Sequence, residues 1–201
     1  MGLRERKKQK TRLALIDAAL DLFLARGYEA TTIDQIAASV DVSPRTFFRY
    51  FASKEDVALA LQADALDIFV AELSARPDAE SPFTAMSQAM RAALATVGHN
   101  DEADHERFAK TCELRDRHPA LVAGQARLMM AHEQRLLAEI TRRRGADDLR
   151  SHFVLALFAA VARTCFEQCG PGEIRDVAAL ARRLDETLVV AGQSLRPGWD
   201  E

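Results

Sequence analysis

Apolar residues recur along this chain at intervals of three and four almost from end to end, and the interruptions are short. Ile16, Ala19, Leu20, Phe23 and Leu24 trace one stripe of a helix. The spacing predicts a helix from about Lys8 to Arg26, with Gly27 placed to end it. Thr32, followed three residues later by Gln35, makes a T-x-x-Q capping box, and Ile33, Ile36, Ala37 and Val40 continue from it at helical spacing. The period breaks at Asp41-Val42 and restarts at Ser43-Pro44, an N-cap followed by a residue suited to a first position that needs no N–H. That short helix is predicted to end near Tyr50. Ser53 caps the next, which the pattern carries as one helix to Ala75, with Glu55 and Asp56 at its positive end.

The remainder reads as further helices. One begins at Ser81-Pro82 and ends near Gly98, and another runs from Asp101-Glu102 to Arg117, where His118-Pro119 breaks it. A long helix follows from Ala120 to Arg144, with three arginines in its last turn and Gly145 beyond. Two more are predicted, from Asp147-Asp148 to Cys169 and from Glu173 to Leu195, divided by Gly170-Pro171-Gly172. The fold class is all-α.

Two short helices joined by a three- to four-residue turn form a helix-turn-helix, whose second helix fits the major groove of DNA. Ile16, Leu20, Phe23, Ile36, Val40, Val42 and Phe47 are the expected core of this head, and Phe51, four residues after Phe47, is expected inside with it. Ser43, Pro44, Arg45, Thr46, Phe48, Arg49, Tyr50 and Lys54 are the polar and aromatic residues left to face outward.

Charge sharpens this reading. The 201 residues carry a net charge of −3, so bulk charge does not announce a nucleic-acid partner. The distribution does. Arg4, Arg6, Lys7, Lys8, Lys10 and Arg12 stand against Glu5 alone in the first twelve residues, directly before the helix-turn-helix. Such a run is either a solvated terminus or a set of phosphate contacts, and its position favours the latter. The N-terminus is charged and has no apolar signal segment, no run reads as a membrane span, and three cysteines without framework spacing suit a reducing compartment; a cytoplasmic protein is expected.

The segments ALIDAALDLFLARGYEA, ATTIDQIAASVDV and SPRTFFRYFASKEDV together resemble the TetR family of transcriptional regulators over roughly residues 10–60. The resemblance implies a DNA-binding head over 1–52 and a ligand-binding and dimerisation domain over 53–201, with the helix at 53–75 as their link. It implies a repressor that binds a pseudo-palindromic operator as a homodimer and is released by a small molecule; the residues themselves offer no catalytic spacing around the histidines, no Gly-rich phosphate loop and no metal motif, so no enzymatic activity, metal or other cofactor is expected. It maps DNA contacts onto Thr32, Pro44, Arg45, Thr46, Phe48, Tyr50 and Lys54. Arg45 suits guanine O6 and N7, while Thr32, Tyr50 and Lys54 suit phosphates. Two positions depart from the family pattern. Asp41 stands where the family often has Gly, at a turn position expected to need a left-handed backbone. Phe48 stands where the family often has Tyr and lacks its hydroxyl.

Behind the head, two helices are apolar on more than one side and are buried either inside a larger monomer core or against a symmetry mate in a four-helix dimer core, of which the dimer is the expectation. Phe158, Val161, Phe166, Ala181, Leu184 and Leu188 are its candidates. Met86, Met90, Cys112, Arg115, Met129, His132, Phe153 and Leu157 are candidates for an adaptable apolar pocket. Two alternatives are a redox- or metal-responsive regulator using Cys112, Cys165 and Cys169, and a helical carrier or enzyme built on the same cavity.

Overall fold

A computed structural model describes residues 2–98, 102–169 and 176–194, apart from the side chains of Val97, Glu102, His105 and Asp116. Among these residues there are ten α-helices and no strand. In chain order they are α1 (Leu3–Arg26), α2 (Ile33–Ser39), α3 (Pro44–Phe48), α4 (Lys54–Ala58), α5 (Ala60–Ala75), α6 (Pro82–Gly98), α7 (Glu102–Arg117), α8 (Pro119–Arg144), α9 (Leu149–Glu167) and α10 (Val177–Ser194). The expected glycine-proline break at 170–172, the start of the last helix at 173 and its end at 195 lie outside the described residues.

Two elements differ from the pattern reading. α1 begins at Leu3, not near Lys8, so the basic run is helical. It has no side-chain cap; the amides of Glu5 and Arg6 both bond the Gly2 carbonyl. The helix predicted over 53–75 is divided at Leu59, where ψ of 4° leaves the helical region. Hydrogen bonds still bridge the division, Leu59 N–H to the Glu55 carbonyl at 2.9 Å and Ala63 N–H to the Leu59 carbonyl at 3.0 Å.

The chain forms two compact units that interleave in sequence: residues 1–63 with 106–127, and residues 64–105 with 128–201. This departs from a single division at residue 53. The reason is apolar burial. Leu114 of α7 and Leu121 of α8 are fully buried in the same cluster as Leu15, Ile16, Leu20 and Phe23 of α1, Ile36 of α2 and Phe47 of α3. Ion pairs reinforce that docking. Arg107 holds Asp17 through two nitrogens at 2.5 and 3.0 Å, Lys110 meets Asp21 at 2.7 Å, and Arg127 meets both oxygens of Glu55 at 2.7 and 2.8 Å.

The second unit has its own core of Phe69, Leu73, Met86, Ala89, Leu136, Ile140, Val154 and Phe158. Arg143, whose side chain is 1% exposed, closes the end of α5 by donating to the carbonyls of Leu73, Arg76 and Pro77. Leu73 lies in the last turn of α5, where carbonyls run out of partners within the helix, and its carbonyl also accepts from the Arg76 amide at 3.1 Å. α9 is, among the described residues, the one helix long and apolar enough to cross a membrane by length and composition, with a mean hydropathy of 1.3. It packs against α6 and α10, with Val154, Phe158, Val161 and Cys165 among its buried residues.

Candidate nucleic-acid interface

The head is assembled from its caps outward. Thr32 accepts from the Gln35 amide at 3.2 Å, and the Gln35 side chain accepts from the Thr32 amide at 3.0 Å, which closes the capping box and fixes where α2 begins. α2 ends in a turn whose amides at Val40, Asp41 and Val42 bond back to the carbonyls of Ala37 and Ala38. Closing that turn takes Asp41 to φ 54°, the left-handed region its position was expected to require. Ser43 then caps α3, accepting from the Thr46 amide at 3.2 Å, with Pro44 in the first turn.

α3 is only five residues long and depends on packing for its stability. Phe47 is fully buried and Phe51 is 5% exposed, their rings 5.6 Å apart. That pair fixes which face of α3 turns outward. Pro44, Arg45, Phe48 and Arg49 are exposed, Phe48 to 55%. Thr46 is half-buried, its hydroxyl 3.0 Å from that of Ser43. Arg49 lies over the half-buried ring of Tyr50, 5.1 Å from its centroid, and donates to the Tyr50 hydroxyl at 3.3 Å.

The N-terminal turns of α1 complete the surface. Arg4, Lys7, Lys8 and Thr11 repeat at i, i+3, i+4 and i+7, one helical face. With Glu5, Arg49 and Tyr50 they line a groove of about 620 Å³. Glu5 reaches Lys8 at 3.9 Å, and the lining holds four cations against that one acid. The pattern reading named Arg4, Lys7, Lys8, Arg49 and Tyr50 separately but not their shared groove, nor Thr11 within it. The periodicity of 4, 7, 8 and 11 was the available signal. Arg6 is exposed on α1 and does not line this groove.

Lys54 turns back onto the loop that follows α1. Its ammonium donates to the carbonyls of Tyr28 and Thr31, each at 2.9 Å, and of Glu29 at 3.4 Å, and sits 4.8 Å from the centroid of the Tyr28 ring.

The expected pocket residues are divided between the two units. Cys112 and Arg115 belong to the first unit and the other six to the second. Met86 is fully buried core, Met90 and Leu157 are half-buried, and Met129 and Phe153 are exposed. The buried stripe of α9 is Ser151, Val154, Phe158, Val161 and Cys165, and Phe153 lies off it. His132 is 5% exposed, with Nδ1 3.4 Å from Arg135; burial holds its pKa below the ordinary value. An apolar recess lined by Met90, Leu94, Ala162, Cys165, Phe166, Leu180 and Leu184 has a volume of about 10 Å³, the scale of a single water.

The expected dimer residues divide as well. Phe158 is 2% exposed, stacked on Phe69 at 5.6 Å and edge-on to Phe83 at 6.1 Å, and Val161 and Leu184 are buried inside the second unit. Ala181 and Leu188 are half-buried, and Phe166 is 44% exposed. The larger exposed apolar groups of α9 and α10 are Leu149, Phe153, Phe166, Val189 and Val190.

All three cysteines are buried thiols. Burial pushes the Cys165 thiol up to about 11, with Cys169 beside it adding to the shift. Such a thiol is a poor nucleophile and metal ligand at neutral pH. No group of His, Cys, Asp and Glu among the described residues has the arrangement of a metal site.

A family model described as bacterial regulatory proteins, tetR family, matches residues 15–61. Over 201 aligned residues the chain is 42% identical to the HTH-type transcriptional regulator TcmR of Streptomyces glaucescens, covering 98% of this chain and 87% of that protein. Among solved structures, SmeT, the repressor of the Stenotrophomonas maltophilia multidrug efflux pump SmeDEF, matches with a TM-score of 0.54 at 19% identity, over 96% of this chain and 94% of that one. FadR of Thermus thermophilus, a TetR-family repressor solved with lauroyl-CoA, matches with a TM-score of 0.51 at 22% identity, over 93% of this chain and 97% of that one. These two likenesses are of fold.

Proposed function

The chain belongs to the tetR family of bacterial regulatory proteins, and on that premise we propose that it is a cytoplasmic repressor that holds a pseudo-palindromic operator as a homodimer and releases it when a small molecule binds the second unit. It is a DNA-binding transcriptional regulator of all-α fold. Its output is occupancy of DNA and not turnover of a substrate.

The observation that carries the reading is the outward face of α3 beside the cationic groove of α1. Phe47 and Phe51 anchor α3 from beneath, so Arg45 and Phe48 project from a fixed support. A guanidinium there is suited to guanine O6 and N7, a base-edge contact that specifies sequence. Phe48 offers an apolar edge to a thymine methyl. The groove suits the sugar-phosphate backbone, whose charge its four cations complement without reading sequence.

Release requires a ligand that binds the DNA-free arrangement better than the bound one. Backbone passes from one unit to the other inside α5, α7 and α8, three routes for a displacement in the second unit to reach the first. The redox- or metal-responsive alternative is disfavoured by the burial and raised pKa of Cys165.

A gel shift on the DNA upstream of the chain's own gene, at two salt concentrations, tests the reading. Binding is expected to prefer that DNA over random duplex and to weaken as salt rises. Equal affinity for both duplexes contradicts it.

A further inference from the structure

Lys54 sits at the first position of α4, where the helix dipole favours acids, and Glu55 and Asp56 follow it in keeping with that rule. A cation at that position is mildly unfavourable for α4 itself, so its reason lies elsewhere. Its three N–H bonds are all accounted for. Tyr28 and Thr31 supply carbonyls at 2.9 Å and Glu29 a third at 3.4 Å. The Tyr28 ring lies beneath the ammonium, with 4.8 Å from nitrogen to centroid.

These carbonyls belong to the turn that follows α1. Gly27, at φ 92°, reverses the chain there, and Thr31 is fully buried, its one hydroxyl proton shared between the carbonyls of Gly27 at 2.9 Å and Leu22 at 3.2 Å. The turn therefore aims its oxygens toward one point, and the ammonium of Lys54 occupies it. Thr31 directly precedes Thr32, the cap of α2. The clamp joins the start of α4 to the start of α2, the two ends between which the turn and α3 are suspended.

We propose that Lys54 is a positioning residue of the helix-turn-helix: its ammonium, held by the Tyr28, Glu29 and Thr31 carbonyls, fixes Thr32 and the start of α2 against α4 and does not neutralise a DNA phosphate. The proposal rests on the reading of this head as the DNA-binding part. A phosphate contact at Lys54 would take a donor from one of the three carbonyls. That carbonyl would then lose a charge-assisted bond in a partly buried turn.

The test is fluorescence anisotropy of the full chain on a random-sequence duplex of about 30 base pairs, across a series of salt concentrations. Wild type, Lys54→Met, Lys54→Arg, Thr32→Val, Arg49→Ala and the Lys54→Met/Thr32→Val double variant are compared, with circular dichroism confirming helical content. Lys54→Met is expected to weaken binding by about tenfold, the scale of one charge-assisted hydrogen bond. Its slope of log affinity against log salt should match wild type, whereas a lost phosphate contact lowers the slope by about 0.9. Lys54→Arg keeps the charge but cannot place one nitrogen among three converging oxygens, so it should weaken binding as Lys54→Met does. The double variant should bind no more weakly than Lys54→Met, because Lys54 acts through Thr32.

A fall in slope like that of Arg49→Ala, full affinity in Lys54→Arg, or additive losses in the double variant would each overturn the proposal. Should Lys54→Met not fold, Lys54→Arg decides by affinity alone: a loss of about tenfold supports the clamp, and full affinity overturns it. If wild type shows no salt-dependent binding at all, the DNA-binding reading of the head fails, and that outcome is distinct from failure of the clamp.

Discussion

Asp41 is the one non-glycine among the described residues with a positive φ, and it occupies the turn on which the reading head depends. Asp tolerates that region better than most residues, and Gly tolerates it freely. Asp41→Gly is therefore expected to leave stability within about 1 kcal/mol of wild type, and Asp41→Val to cost about 1–3 kcal/mol, by urea unfolding. Equal stability of the two variants would remove the backbone argument. Arg45 makes a different claim. Arg45→Ala should relax sequence choice at its contacted base by about 1–3 kcal/mol, measured as the ratio of affinities for matched and mismatched duplexes. An unchanged ratio would assign Arg45 to the backbone. Lys54 shows the limit of residue identity as evidence: a cation beside a helix-turn-helix suggests a phosphate, yet its ammonium faces carbonyls 23 to 26 positions earlier in the chain. That convergence depends on tertiary structure and carries no local sequence signal.

At the level of elements, whatever rests on local chemistry was legible. The capping box at Thr32, the Ser43-Pro44 start, the Ser53 cap and the glycine after α1 all appear where the pattern put them, because each is a contact spanning a few residues. What failed was local irregularity without a marker. The division at Leu59 falls inside an unbroken apolar period with no Gly or Pro, and the first turns of α1 are polar with no side-chain cap to announce them. The apolar period of α9 marks a helix but does not say which of its faces turns inward. Phe158 points into the core of its own unit and Phe166 does not, a choice set by α5 and α6 and not by α9. The helical state of residues 3–11 carries its own prediction. With Lys7 and Lys8 presented on one face beside Arg49, the double variant Lys7→Gln/Lys8→Gln should lower the salt slope of DNA binding by about 1.8, two phosphates' worth, while leaving the preference for specific DNA unchanged. A lost preference with an unchanged slope would place these residues at base edges.

For the whole molecule, sequence pattern conveyed the class and the head but not the partition. Residues 106–127 fold with the head because Leu114 and Leu121 complete its core, a long-range contact that no local period encodes. The exposed apolar groups of α9 and α10 now define where a second copy is proposed to bind. Phe166→Glu and Val189→Glu should give folded monomers by light scattering with detection of mass, while Phe158→Glu should lose helical structure, since the charge would enter a buried aromatic cluster. A folded monomer from Phe158→Glu would restore it to the interface. The central claim, that two copies of the α3 surface read successive major grooves, is tested most directly by selecting duplexes from a random pool with the full chain and sequencing those retained. The account predicts enrichment of a pseudo-palindrome whose half-sites lie about one helical turn apart, or a multiple of it, and loss of one conserved position in each half-site when Arg45→Ala is used for the selection. A pool that remains random after repeated selection by wild type would contradict it.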